Sequence, residues 1–137
     1  MDNLTRETLN NIEKYLKKIN PSFQGLQASP GGDSYFTILN LGTQPFYIFY
    51  IPQLDLVYYE APLRKLPTNN LLPFYQKLLE LNNANTLFSY FALNERTNEI
   101  VLQLMRPAAG LDFEEFNSNL NVITGVYNRL KDEILRM

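Results

Sequence analysis

The chain has 137 residues, the size of one domain with one core. With 45% hydrophobic and 19% charged residues it is expected to fold, not to remain disordered. A net charge of -2, with its lysines and arginines diluted by apolar and acidic neighbours, argues against nucleic acid as a partner.

Cysteine and histidine are both absent. The first absence excludes disulfides and thiol chemistry and fits a reducing compartment. The second removes the commonest general base at neutral pH and the commonest metal ligand. The N-terminal segment is polar and interrupted by charge, unlike a signal peptide. No apolar run approaches the roughly 20 residues needed to cross a bilayer. The expectation is a cytoplasmic protein with no membrane partner.

Leu9, Ile12, Leu16 and Ile19 recur three or four residues apart, which predicts a helix over Leu4 to Ile19. Asn20-Pro21 ends it, because the residue before proline is pushed out of helical geometry. Phe23 to Gln27 reads as a short strand or an irregular edge. Ser29 to Asp33 is a turn, and Ser34 to Leu41 is a strand rich in aromatic and β-branched residues. Phe46 to Ile51 is the next strand. Pro52-Gln53 connects it to a third, Leu54 to Glu60, because proline cannot donate to a ladder and belongs at the turn. Ala61 to Asn70 reads as a linker, with Arg64 and Lys65 solvated.

A second helix is expected from Leu71 to about Leu81, with Pro73 tolerated in its first turn and the segment from Asn82 to Asn85 breaking it. Thr86 to Leu93 and Glu99 to Met105 form a hairpin around the loop Asn94 to Asn98. Asp112 then caps a long helix reaching about residue 136, with Glu115 placed three residues on, close to a capping box. The expected fold class is α+β: an antiparallel sheet of about five strands with helices packed on it, in the order α-β-β-β-α-β-β-α.

Constellations that carry chemistry are missing. Gly31-Gly32 lacks the basic residue of a phosphate loop. The carboxylates of Asp112, Glu114 and Glu115 complement a helix dipole better than they make a metal site. Asp55 reads as a charge near a turn facing water, and Arg96 as part of an exposed hairpin tip. Gly125 lies inside the last helix and admits two readings, a close backbone approach or a tolerated defect. No catalytic residue, no metal ligand and no cofactor site is expected, and the chain reads as a non-enzyme.

The segment from Gln44 to Pro62 is apolar or aromatic at nearly every position, where a strand over one core should alternate. Phe46, Tyr47, Phe49, Tyr58 and Tyr59 therefore form a candidate partner-binding set. Each taken alone reads as core, and the competing account of the set is that the N-terminal helix closes the second face. The second helix is apolar over too wide an arc for one buried face, so Leu71, Leu72, Tyr75, Leu78 and Leu79 form a candidate dimer interface.

The segment from Leu78 to Ile134 resembles the C-terminal half of the YbjN-like and type III secretion chaperone-like (CesT-like) proteins. The matching residues are Leu81-Asn82 at the helix end, the strand Phe91-Ala92-Leu93, Pro107, and Gly110-Leu111-Asp112 followed by Glu115 and Phe116. Lys65 to Pro67 and the order of the preceding elements fit as well. Similar folds occur in cyanobacteria, including that of the carboxysome assembly chaperone CcmS, where no motif places this chain. The resemblance implies a single-domain α+β homodimer without catalytic activity that holds a client or assembly-partner protein on apolar surface. The alternative reading is a regulatory or sensor domain with a small apolar ligand between sheet and helices.

Overall fold

A computed structural model of the chain describes residues 2–84 and 86–137. Among them the order is α1 (Asn3–Ile19), β1 (Gln27–Ala28), β2 (Tyr35–Leu41), β3 (Gln44–Ile51), β4 (Leu56–Lys65), α2 (Leu71–Ala84), β5 (Tyr90–Asn94), β6 (Glu99–Pro107) and α3 (Phe113–Arg136). The strands form one antiparallel sheet in the spatial order β1-β2-β3-β4-β6-β5. The α+β class and the alternation of elements agree with the sequence. The sixth strand is β1, a two-residue edge on β2.

Several boundaries differ. β5 begins at Tyr90, four residues later than expected, and β1 is Gln27–Ala28, not Phe23 to Gln27. Three further differences have a local reason. The turn between β3 and β4 spans four residues, Pro52 to Asp55, and not two. Asp55 takes φ 53, a left-handed conformation that aspartate tolerates, and its carbonyl accepts from the Ala108 amide at 2.8 Å. β4 runs on through Ala61 to Lys65, where the sequence suggested a linker, because β6 pairs with it over that whole length. Pro62 is accommodated by the register shift between Pro62 and Arg64, the kind of irregularity where a strand admits proline. α2 continues through residues 82–84; Asn85, the last residue of the expected break, lies outside the described residues.

All three helices pack on one face of the sheet. Leu9, Ile12 and Leu16 of α1, Phe74, Leu78 and Leu81 of α2, and Phe116, Leu120, Ile123, Val126, Leu130 and Ile134 of α3 join one core. From the sheet that core takes Leu39, Phe46, Ile48, Tyr50, Val57, Tyr59, Ala61, Leu102 and Leu104. The Asp2 carboxylate caps α1 by accepting from the Thr5 amide at 2.7 Å, and Asp112 caps α3 by accepting from the Glu115 amide at 2.8 Å. Glu114 and Glu115 occupy the first turn of α3, where they complement the dipole.

Polar contacts fix the helices relative to one another. Arg64 is not solvated surface: its Nη1 donates to the Met137 carbonyl at 2.7 Å, and its guanidinium lies 5.3 Å from the Phe74 ring. Carbonyls in the last turn of a helix take side-chain donors of this kind. Lys77 and Glu133 pair at 3.3 Å between α2 and α3. Asn82 holds edge strand β5 by both amide functions, accepting from the Phe91 N–H at 2.7 Å and donating to its carbonyl at 3.4 Å. Among the described residues a Cβ at Gly125 would meet no atom within 4 Å outside its own helix backbone, so no other backbone approaches there. No helix among the described residues is long and apolar enough to cross a membrane.

Candidate functional site: the uncovered sheet face

Successive residues of a strand point to opposite faces, and cross-strand partners share one. The register therefore sorts the aromatic strands into two sets. The row Thr37, Ile48, Tyr59, Leu104 points to the helices. The next row points away: Ile38, Tyr47, Glu60, Gln103 and Tyr90, crossing from β2 to β5. Beside it on the same face runs Gln27, Phe36, Phe49, Tyr58 and Met105.

The five proposed partner-binding residues divide accordingly. Tyr47, Phe49 and Tyr58 stand on the uncovered face, all half-buried by one another. Phe46 and Tyr59 do not. They are 1% and 0% exposed, on the helix-covered face, and are core residues in this fold. Phe46 meets Tyr127 edge-on at 5.6 Å, and Tyr59 meets Phe116 at 5.6 Å. Burial pushes the Tyr59 hydroxyl well above the ordinary tyrosine range, and the hydroxyl accepts from the Asn119 amide at 3.4 Å. The account in which α1 closes the second face also fails, because α1 lies beside α3, with the Tyr15 hydroxyl donating to the Leu111 carbonyl at 2.9 Å.

The uncovered face is a continuous aromatic strip. Phe36 and Phe49 lie 6.0 Å apart, Tyr47 stacks with Phe49 at 6.2 Å, and Phe49 meets Tyr58 edge-on at 6.1 Å. Phe36, Ile38, Glu60, Tyr90, Gln103 and Met105 complete it, and none was singled out from the sequence. Counting in steps of two from Tyr47 and Phe49 shows which neighbours share their face. It does not show that this face lacks a helix.

On α2 the proposed dimer residues also divide. Leu72 and Leu79 point outward at 68% and 67% exposure, and Leu71 and Tyr75 are half-buried. Leu78 is buried against the sheet with Phe74 and Leu81, so it belongs to the core. Leu87 and Phe88 follow α2 and are exposed, with the Arg106 guanidinium 4.5 Å from the Phe88 ring.

Solved structures with this architecture cover nearly the whole chain. One is from the ExsC–ExsE complex, with a TM-score of 0.68 at 16% identity over 96% of this chain and 97% of that one. A second is from the heterodimeric ExoU–SpcU complex of the type III secretion system of Pseudomonas aeruginosa, with a TM-score of 0.61 at 15% identity over 88% of this chain and 95% of that one. A third comes from the Yersinia pestis type III secretion chaperone SycH in complex with a fragment of YscM2, with a TM-score of 0.57 at 10% identity over 86% of this chain and 94% of that one. The chain has the type III secretion chaperone-like fold. None of these three is a carboxysome assembly chaperone, and the likeness to CcmS gains no support from them. No family model and no curated protein matches the sequence.

Proposed function

We propose that the chain is a non-catalytic, cytoplasmic chaperone-like module that holds a segment of a partner protein on the uncovered face of its sheet. The observation that carries this reading is the strip formed by Phe36, Tyr47, Phe49 and Tyr58, which no helix among the described residues covers. Contiguous apolar surface of this kind marks interaction sites, and tyrosine suits them because its ring buries while its hydroxyl stays wet. The fold supports the reading, since the three solved structures described above were determined as complexes with a second protein.

The module works as a homodimer in which Leu72 and Leu79 of α2 meet their copies, because both leucines are exposed on a helix whose opposite side is already buried. Size-exclusion chromatography with light scattering should give about twice 15.9 kDa, and a clean monomer at micromolar concentration would remove the dimer from the proposal. The binding face is tested by Tyr47→Asp and Phe49→Asp in a tagged pull-down from the native host. The expected outcome is an unchanged circular dichroism spectrum with the captured partner lost. Variants that capture normally, or that unfold, overturn the assignment.

A further inference from the structure

The uncovered face contains one residue out of keeping with an apolar strip. Glu60 sits in mid-strand, only 9% exposed, between Tyr47 on one side and Gln103 on the other. Gln103 Nε2 donates to its Oε1 at 2.7 Å. Among the described residues no cation pairs with it; the ion pair present, Lys77 with Glu133, is elsewhere. A carboxylate held away from water is stabilised by a cationic partner more than by a neutral amide donor alone.

The surroundings of Glu60 have a definite chemistry. It lies in a groove of about 400 Å³ whose walls are Phe49 and Tyr58, with Leu93 and Gln103 beside them. The other charged groups lining the groove are Glu95 and Arg96, exposed at the tip of the β5–β6 hairpin, so the lining carries two carboxylates against one cation. In the same row as Glu60 and Gln103, the Tyr90 hydroxyl is buried with no hydrogen-bond partner among the described residues. The row thus holds more hydrogen-bonding capacity than the chain uses. Aromatic faces next to a carboxylate attract cations, and a planar guanidinium can stack on a ring while it donates to an oxygen.

We infer that the groove is a subsite for a basic side chain, arginine in preference to lysine, carried by the partner segment. Glu60 is its counter-ion, and Tyr58 and Phe49 are its stacking walls. The inference rests on the reading of the uncovered face as the partner site, and it adds what that partner must present: an apolar segment interrupted by a positive charge. Glu60 then makes a selection. A purely apolar segment leaves the carboxylate buried and unpaired, whereas one with an arginine in register does not.

A random dodecapeptide library displayed on phage and selected on the immobilised protein tests this. Selected peptides should carry arginine or lysine, and synthetic copies should lose about tenfold or more in affinity on Glu60→Gln, which keeps an acceptor for the Gln103 amide. Arg96→Ala, at an exposed tip, removes the resident cation and should tighten the same peptides a few-fold, with the gain shrinking at high salt. Peptides that are lost on Phe49→Asp but contain no basic residue, or that bind Glu60→Gln as well as the parent, overturn the inference and leave the partner-binding face standing. Peptides indifferent to Phe49→Asp, or no selection at all, count against both. Should Glu60→Gln fail to fold, the response to Arg96→Ala decides.

Discussion

Along β3 and β4 each residue step crosses from one kind of surface to another. Phe46, Ile48 and Tyr50, with Val57, Tyr59 and Ala61, are sealed beneath the helices. Tyr47, Phe49 and Tyr58, of the same residue types and one position away, pack on one another with no helix among the described residues over them. What separates the two sets is the placing of the helices and not the hydrophobicity of the residues. An aromatic side chain is core or contact surface according to whether an element lies over it.

The comparison can be broken most sharply by truncating one residue from each face. Phe46→Ala should cost about 3–5 kcal/mol, since it opens a cavity in a closed core. Phe49→Ala should cost about 1 kcal/mol. Equal losses in urea denaturation would mean that the two faces are equally packed.

The next effect is on pH dependence. Burial raises the Tyr59 hydroxyl, and to a smaller extent those of Tyr50 and Tyr127, above the ordinary value of 10.0. Their contribution to stability is fully present below pH 10.0 and is lost as the pH rises toward the folded-state values, because only the unfolded chain ionises there. For Tyr59 the slope is about 1.4 kcal/mol per pH unit, to be read from denaturation midpoints at increasing pH. Tyr59→Phe should flatten it.

Smaller effects follow. Asn82→Ala should cost about 1–2 kcal/mol by leaving the Phe91 amide without its partner, and should speed amide exchange at Phe91 more than at Leu102. Gly125→Ala should stabilise by about 1 kcal/mol, since the position is helical and open, and thermal melting will show it. The smallest expected change in protomer stability, within about 0.5 kcal/mol, is that of Leu72→Glu with Leu79→Glu, whose effect should appear instead as a halved mass in light scattering.

Much of the fold was legible because its signals are local. The stripe from Phe116 to Ile134 in α3, the caps at its start, and the turn residues around β2 and β3 each state their element without reference to the rest of the chain. The strand character of Ala61 to Lys65 was not legible, because it comes from pairing with β6, some forty residues on in sequence, and the prolines point the other way. The site was half legible. Excess aromatic surface showed in the composition of β3 and β4, yet placing Phe46 beside Tyr47, or Tyr59 beside Tyr58, ignored that adjacent strand residues face opposite ways. Glu60 escaped notice for a different reason: a glutamate near the end of a strand looks solvated until β6 and β5 are laid beside it.

The Asn82 contact also bears on the order in which the molecule assembles. Its side chain occupies the rung that a seventh strand would need at Phe91, and the two residues are only nine apart in sequence. Closing so short a loop takes little entropy, so this contact is expected to form as early as the β5–β6 hairpin itself. The outer border of the sheet is then guarded while the long-range pairing of β4 with β6 is still incomplete, the stage at which an open strand would most readily recruit another chain.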